Sequence, residues 1–444
     1  MSNIIEADYV VVGAGAMGMA FVDEILTNTE ATVVMVDQHA KPGGHWNDAY
    51  PYVRLHQPSS FYGVTSVRLG TDRIDEVGTN VGLSELASGP EVCAYYDQLM
   101  QRTFLPSGRV EYLPRARYAD GQATFLTSGE TVQLSARRAV VDATYMKVKV
   151  PSVVAPVYEI DDDARVVPPN QLPNVEQPAG GYNVIGAGKT AFDAIIWLLT
   201  NHVDPSAIHW VLPRDQWLLN RAYIQPGDGF KIGDQLRIIA ESESAADIFT
   251  TMEAEGHFFR IDPNIEPTMY RCATVTDIEL ELLRKIDRVA RGARVARVSA
   301  TALHLDDGRE IAMAPETLHV DCTADGLEKL PAVPVFDGDR ITLQTVRACQ
   351  QVFSAGLIGR LEAVEGLDEA AKNELATVIP HPDTPHDFLV NSLAHVHSAG
   401  SWAANPDLAA WILESRLSPT GRSAPDLGMA ITAVGKLEAY LADA

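Results

Sequence analysis

The chain has 444 residues, enough for two or three domains with their own cores, and 46% of them are hydrophobic. Its 35 basic and 59 acidic residues give a net charge of −24, and such a surface repels nucleic acid and anionic membranes, so neither is an expected partner. No apolar run reaches the roughly 18 residues of a membrane span, and the first residues lack the basic and apolar regions of a signal peptide. The sequence therefore predicts a cytoplasmic protein.

A strand, a glycine turn, a helix and a second strand are predicted in that order over residues 9–37. In the turn, Gly13 allows a tight bend, Gly15 removes a Cβ that would block a pyrophosphate, and Gly18 lets helix and strand pack closely. The helix N-terminus then directs free N–H groups at the phosphates. Asp37 ends the second strand, where its carboxylate accepts hydrogen bonds from a ribose diol and repels a 2′-phosphate. This order favours a dinucleotide site over a glycine turn without a ligand.

The next segment carries the motif GG-x-W at residues 43–46, followed by YP-x-x-R-x-x-x-x-S-x-x-Y at residues 50–62. This pair of motifs resembles the FAD-binding half of the class B flavoprotein monooxygenases, the group of the Baeyer-Villiger and N-hydroxylating enzymes. The resemblance implies that the first glycine motif binds FAD. It also implies that Gly44, His45 and Trp46 lie beside the flavin, and it makes Arg54 a further cofactor-binding candidate.

Three departures from that family concern the chemistry. His56 stands where Baeyer-Villiger enzymes usually carry Asp, and it is either a general acid or base near neutral pH or a hydrogen-bonded structural histidine. Tyr145 replaces the glycine of the family's A-T-G segment. The monooxygenase fingerprint F-x-G-x-x-x-H-x-x-x-W/Y, expected just before the second glycine loop, is missing. These differences keep an enzyme that does not transfer oxygen among the candidates.

A second glycine loop, GxGxxA, contains Gly186, Gly188, Lys189 and Thr190, all candidate cofactor-binding residues. The following strand ends at Arg214 instead of an acid. Since a guanidinium pairs with a 2′-phosphate in a bidentate way, this site is predicted to prefer NADP over NAD. Lys189 and Arg214 are alternatively solvated surface charges.

Further candidates lie beyond this strand. In the resembling enzymes an arginine of the nicotinamide domain holds the nicotinamide and stabilises the flavin peroxide, and Arg221 is the candidate here, with a helix-surface arginine as the alternative. Asp325 follows the strand that returns to the FAD domain, and Asp339 lies in a Gly-Asp turn that either touches the flavin or closes a hairpin. The four histidines of the C-terminal part show no spacing that predicts a metal site.

The four cysteines are Cys93, Cys272, Cys322 and Cys349, and they are far apart with no CxxC pair. This spacing predicts reduced thiols. It also argues against a disulfide reductase, which needs two neighbouring cysteines to pass electrons through.

The predicted fold is α/β, with two interleaved Rossmann-like dinucleotide-binding domains. Residues 1–150 and 320–444 form the FAD domain, 151–180 a linker, and 181–319 the inserted NADP domain. Within the inserted domain, residues 225–275 are predicted to be an irregular, lid-like segment whose aromatic residues indicate an apolar or aromatic substrate.

Beyond the lid-like segment, the patterns predict a helix over residues 276–290 and a hairpin turn at 306–308. Two further helices are predicted over 403–416 and 427–442, as the completion of the FAD domain.

The resemblance implies an FAD-dependent, NADPH-reduced monooxygenase that uses molecular oxygen through a flavin C4a-peroxide. Its substrate would be a small organic molecule, and its reaction hydroxylation, N-oxidation or Baeyer-Villiger insertion. Two alternatives remain open. One is an NADPH oxidoreductase that passes electrons to a quinone or a protein without oxygenation. The other is a non-catalytic flavoprotein that senses redox state or binds a partner. The sequence carries no signal for the oligomeric state.

Overall fold

The computed structural model describes residues 4–419 and 426–442. Its strands form two main sheets and two small ones. In chain order the strands are β1 (Ile4–Val12), β2 (Val33–Asp37), β3 (Val110–Pro114), β4 (Ala116–Ala119), β5 (Gln122–Phe125), β6 (Thr131–Asp142), β7 (Glu159–Ile160), β8 (Arg165–Val167), β9 (Tyr182–Ile185), β10 (Ile208–Leu212), β11 (Gln216–Asn220), β12 (Phe258–Phe259), β13 (Met269–Val275), β14 (Arg288–Arg291), β15 (Val295–Val298), β16 (Ala302–Leu305), β17 (Glu310–Ala312), β18 (Leu318–Asp321), β19 (Phe336–Asp337) and β20 (Arg340–Thr342).

The α-helices connect these strands or cover their faces. In chain order they are α1 (Ala16–Asn28), α2 (Gly89–Leu99), α3 (Lys189–Thr200), α4 (Ile232–Glu241), α5 (Ala245–Ala254), α6 (Asp277–Leu283), α7 (Gln351–Ala363), α8 (Glu369–Leu375), α9 (Pro385–Ala404), α10 (Pro406–Glu414) and α11 (Leu427–Ala442). None of the helices in the described ranges is both long and apolar enough to cross a membrane.

The first main sheet is built from both ends of the chain. Its order is β19-β20-β6-β1-β2-β3, and β1 pairs in parallel with β2 and β6. The central apolar run Tyr9, Val10 and Val11 is fully buried, as expected for a strand covered on both faces. Late in the chain, β20 pairs with β6, and α7 then packs against α1. The predicted interleaving of two α/β dinucleotide-binding units is therefore confirmed.

The second main sheet has the order β14-β10-β9-β18-β8, and all of its neighbours are parallel. It repeats the strand, glycine loop and helix arrangement of the first sheet, with β9, α3 and β10. Strand β8 lies within the predicted linker 151–180, yet it pairs with β18 and buries Val167 in the core of this sheet. That segment therefore contributes to the second unit in addition to connecting it.

The prediction that residues 225–275 are irregular is wrong. The segment contains α4 and α5, and its strands β12 and β13 pair with β11. The reason is packing: apolar side chains of α4 and α5 enter one cluster with Phe388 of α9 and Leu437 of α11. Glycines and prolines in the segment occupy the ends of these elements and concealed their periodicity from a reading of the sequence.

The later predictions have mixed outcomes. The helix expected over 276–290 ends at Leu283, because residues 288–291 form β14 and extend the second sheet. The hairpin at 306–308 is confirmed by the antiparallel pair β16 and β17. Helix α11 covers the predicted range 427–442, although it packs against α4 and α9. The helix expected over 403–416 is shorter, because residues 403–404 end α9 and α10 covers only Pro406–Glu414.

Candidate functional site

Both glycine loops open into one cavity of about 1260 Å³. The cavity lies at the carboxyl ends of β1 and β2 in the first sheet and of β9 in the second, the edge at which parallel α/β sheets bind ligands. Most of the site residues predicted from the sequence line it: Gly13, Gly15, Asp37, Gly44, His45, Trp46, Arg54, His56, Gly186, Gly188, Lys189, Thr190, Arg214 and Asp325.

The first glycine loop approaches the segment around Gly44 backbone to backbone. Gly13 has φ +104° and Gly44 has φ +55°, conformations that side chains disfavour, and a Cβ on Gly44 would lie 2.9 Å from the Cα of Gly15. Gly15 is the N-cap of α1, and within the described residues no side chain caps this helix. Its first N–H groups are therefore free at the cavity, which fits the pyrophosphate of a dinucleotide.

Asp37 is held in a hydrogen-bonded chain that the sequence reading missed. Its Oδ2 accepts from the Ala14 N–H at 2.6 Å, and its Oδ1 accepts from the His39 backbone at 2.7 Å. The His39 ring lies between Asp37 and Asp48, with nitrogen to oxygen distances of 2.9 and 2.8 Å. The hydrogen bond to Asp37 raises the pKa of His39 to about 9, against desolvation and with further help from Asp48. His39 is therefore a cation at neutral pH and fixes the Asp37 carboxylate at the end of β2.

We expect stability at the Asp37 end of the cavity to depend on pH through His39. The pKa of His39 is higher in the folded protein than in the unfolded chain, so His39 stabilises the folded state. This contribution is fully present below pH 6.5, the ordinary pKa of histidine, and it is lost as the pH rises through about 9. Its size is on the order of 3 kcal/mol. Urea unfolding of the wild type and of His39→Gln should differ most near pH 6 and converge above pH 9. A difference that stays constant with pH would contradict the assignment.

The wall between the glycine loops is aromatic and carries neutral imidazoles. The Trp46 indole N–H donates to the Tyr62 hydroxyl at 2.7 Å, and the His45 and Trp46 ring centroids are 5.2 Å apart. Desolvation lowers the pKa of His45 to about 4. Desolvation, with Lys189 adding to it, lowers the pKa of His56 to about 3. A neutral His56 can accept a hydrogen bond, but with this pKa it is neither a general acid nor an effective base at pH 7.

The second glycine loop also presents an open helix N-terminus. Gly188 is the N-cap of α3, no side chain in the described part of the chain caps this helix, and a Cβ built on Gly188 meets no atom within 4 Å. Lys189 is less available, because its ammonium group is paired with Asp193, which also accepts a 2.6 Å hydrogen bond from the Tyr50 hydroxyl. The loop fits a second pyrophosphate, whereas the Lys189 side chain forms an ion pair within α3.

Arg214, the predicted 2′-phosphate ligand, is already paired with a carboxylate of the chain itself. Its two terminal nitrogens each donate to Asp383 at 2.8 Å in a bidentate pair. Arg294 lines the same cavity and is exposed, and across residues 4–419 and 426–442 its guanidinium makes no hydrogen bond or ion pair. Arg294 is therefore the more available cation, and it was not singled out because no sequence motif marks it.

Asp325, although it lines the cavity, is paired with Arg271 at 2.6 Å. Arg54 lines it as well and donates to the Leu86 carbonyl at 3.3 Å.

Three predicted residues lie outside the cavity lining: Gly18, Asp339 and Arg221. Gly18 is buried between α1 and β1, where the sequence places it for packing. Asp339 is exposed in the turn between β19 and β20, which makes the hairpin alternative the observed one.

Arg221, proposed for catalysis, is fully buried. It donates to the His56 carbonyl at 3.0 Å, to Asn80 at 3.2 Å and to Glu279 at 2.9 Å. It is therefore a buried arginine tying three segments together, and not the helix-surface arginine considered as its alternative.

The expectation of four reduced thiols is also wrong. Cys272 and Cys349 form a disulfide with 6.6 Å between their Cα atoms, while Cys93 and Cys322 are free thiols. The pair is 77 residues apart in sequence, and the fold alone brings the two cysteines together at the cavity. In the described ranges, no group of three or more His, Cys, Asp or Glu side chains is arranged to hold a metal ion.

Comparison with known proteins gives a family and a fold. No protein-family model matches the chain. The uncharacterized protein Rv2000 of Mycobacterium tuberculosis is 46% identical over 425 residues, which cover 94% of this chain and 78% of the relative. The chain belongs to the family of that protein. The uncharacterized protein Mb2023 of Mycobacterium bovis matches to the same extent.

Solved structures with a similar fold are known for this chain. The OTEMO complex with FAD and NADP has a TM-score of 0.51 at 15% identity, over 80% of this chain and 82% of its own. Cyclohexanone monooxygenase from Rhodococcus sp. Phi1 bound to NADP+ has a TM-score of 0.48 at 15% identity, over 100% of this chain and 98% of its own. The match to the OTEMO complex confirms for this chain the class B flavoprotein monooxygenase-like fold that the glycine and GG-x-W motifs predicted.

Proposed function

We propose that the chain is an FAD-dependent, NADPH-reduced monooxygenase acting on a small organic substrate. One observation carries the proposal: two helix N-termini, each following a glycine loop and capped by no side chain of the described residues, open into the same cavity of about 1260 Å³. Two dinucleotides bound there would have their reactive rings in one shared cavity. The NADP-bound and FAD-bound states of the solved neighbours support this choice of cofactors.

The residues of the cavity have separate tasks in this proposal. The α1 N-terminus binds the FAD pyrophosphate, while Asp37, oriented by His39, accepts hydrogen bonds from the ribose. Trp46, fixed by Tyr62, forms an apolar wall that excludes water from the reacting rings. His56 stays neutral and offers a hydrogen-bond acceptor without adding charge. When bound, FAD supplies the two-electron redox chemistry between the nicotinamide and oxygen.

A second candidate, an NADPH oxidoreductase that does not oxygenate its substrate, is favoured by one specific observation. The Cys272–Cys349 disulfide lines the cavity, and a pair of cysteines beside a redox cofactor is a means of passing electrons onward. The missing monooxygenase fingerprint agrees with this candidate.

An anaerobic titration of the purified protein with NADPH, and separately with NADH, tests the shared part of both candidates. We expect NADPH to bleach the flavin absorbance and NADH to do so poorly. When oxygen and a substrate are then admitted, NADPH consumption matched by an oxygenated product supports the monooxygenase. Consumption without such a product favours the second candidate. A yellow protein that neither nucleotide bleaches points to the flavin-binding sensor, and a colourless protein that FAD does not reconstitute contradicts all three.

Coenzyme selectivity should depend on Arg294. A charge-assisted hydrogen bond to a 2′-phosphate contributes about 1.5–3 kcal/mol, so Arg294→Ala should raise KM for NADPH by about 10-fold or more and leave KM for NADH unchanged. Arg214→Ala should have a smaller effect, since Asp383 already occupies its guanidinium. Steady-state kinetics with the two nucleotides supplies the measurement, and NADH acts as the control within each variant. An equal rise of KM for NADPH and for NADH would contradict the placement of Arg294 at the 2′-phosphate.

A further inference from the structure

The Cys272–Cys349 disulfide joins the two units of the fold. Cys272 belongs to β13, in the inserted part of the chain, and Cys349 lies two residues before α7, which packs on the first unit. Both cysteines line the cavity that the glycine loops share, and both are partly accessible. A disulfide that served only to stabilise the core would have no need of this partly accessible position in the cavity wall.

The backbone at both cysteines is unusual. Cys272 has φ +56° and Cys349 has φ +58°, left-handed conformations that are uncommon for residues other than glycine. Such conformations are strained and cluster at functional sites, where the surrounding structure maintains them. Here both unusual conformations fall on the two residues of the disulfide.

One segment, residues 379–383, connects the surroundings of the two sulfurs. At one end Ile379 donates to the Thr345 carbonyl at 2.8 Å, close to Cys349, and at the other Asp383 accepts from the Tyr270 N–H at 3.0 Å, close to Cys272. Between them His381 is buried and lines the cavity, and its Nδ1 has no hydrogen-bond partner among the described residues. Burial lowers the pKa of His381 to about 4, so its ring is neutral at pH 7 and its Nδ1 is available as a hydrogen-bond acceptor in the cavity wall.

The N-terminus of α7 adds a positive end to the same wall. Gln350 is its N-cap and makes no side-chain cap within the described part of the chain, while Gln350 and Gln351 line the cavity beside Cys349. A thiolate at a helix N-terminus is stabilised by the free N–H groups and the helix dipole. The surroundings of the cysteine pair therefore suit both the disulfide and the reduced dithiol.

We propose that Cys272–Cys349 is a redox-active disulfide that NADPH reduces through the bound flavin. This inference rests on the proposed FAD and NADPH sites. The S–S bond breaks and two thiols form: NADPH supplies two electrons and one proton, the solvent supplies the second proton, and NADP+ is released.

The substrate class that such a pair suits is a small disulfide. One thiolate attacks the substrate disulfide and displaces the first thiolate product, and the second cysteine then displaces the other product and restores the S–S bond.

Thiol counting by mass spectrometry tests the first step directly. The FAD-loaded protein is incubated anaerobically with NADPH, quenched with an alkylating reagent, digested and mapped. We expect alkylation of both Cys272 and Cys349 with NADPH and of neither without it. Flavin absorbance is recorded on the same sample. Bleaching without new thiols overturns the inference while the proposed cofactor sites stand, whereas neither bleaching nor new thiols means that the proposed function has failed.

Variants and an added disulfide complete the experiment. In Cys349→Ser, Cys272 should be alkylated with or without NADPH, and Cys93→Ser, which removes a thiol outside the cavity lining, should behave as the wild type. The mapping of the wild type needs no variant, so a misfolded Cys349→Ser protein does not affect it. Hydroxyethyl disulfide added to the NADPH-reduced protein should return both cysteines to the unalkylated state. If they stay reduced, the substrate class is wrong.

Discussion

Gly18→Ala is expected to lower the free energy of unfolding by about 3 kcal/mol and to abolish FAD binding. A Cβ on Gly18 would lie 2.1 Å from the Gly13 carbonyl oxygen and 3.2 Å from the Ala143 Cβ, so α1 must move away from β1. Overpacking of this kind typically costs about 1–3 kcal/mol, and here the obstructing atom is backbone that cannot rotate aside. The same movement displaces the α1 N-terminus from the pyrophosphate.

Gly435→Ala is the matched control for this prediction. Gly435 is also a helical glycine, but it is exposed on α11, and a Cβ there meets no atom of the described residues within 4 Å. Alanine at that position should stabilise the helix by about 0.5–1 kcal/mol. Urea unfolding and the ratio of flavin to protein absorbance measure both variants. A Gly18→Ala protein that keeps the stability and flavin content of the wild type would refute the close packing of α1 on β1.

Arg221→Ala is expected to act on stability, lowering the free energy of unfolding by about 3–5 kcal/mol. Arg221 is fully buried and Glu279 is only 6% exposed, so removal of the guanidinium leaves the carboxylate of Glu279 buried without its main partner. The His56 and Thr274 carbonyls lose a donor at the same time.

The double variant Arg221→Met with Glu279→Gln separates a structural role of Arg221 from a catalytic one. It removes both charges, so it should lose less stability than Arg221→Ala. Urea unfolding measures stability, and NADPH bleaching of the flavin reports on the site. If Arg221→Ala unfolds like the wild type but loses coupled oxygen transfer, the catalytic role predicted from the family resemblance is supported instead.

Local sequence patterns predicted the parts of the site that depend only on residues close together in the chain. Each glycine loop directly follows a buried strand and begins a helix, so Gly13, Gly15, Gly186 and Gly188 could be placed without knowledge of the rest of the fold. Asp37 was predictable for the same reason, because the end of β2 lies beside the turn after β1.

What the sequence could not predict depends on contacts between distant segments. The Cys272–Cys349 pair and the Arg214–Asp383 pair join residues 77 and 169 positions apart, and no spacing rule applies at such separations. The missed helices α4 and α5 are 10 residues each, and they owe their stability to α9 and α11 far along the chain. Arg221 was misplaced because its burial depends on Asn80 and Glu279, which a sequence window around it does not contain.

The pairing of β20 with β6 and the packing of α7 on α1 have a consequence for biosynthesis. The ribosome completes β1 to β6 almost 200 residues before it delivers the strand and helix that cover this half. Until then the surface of α1 around Phe21, which Gly359 of α7 later contacts, is exposed. The inserted unit has a continuous βαβ core and can form first. We therefore expect the inserted unit to fold before the N-terminal unit is complete, and the N-terminal half to be the part of the nascent chain that stays exposed longest.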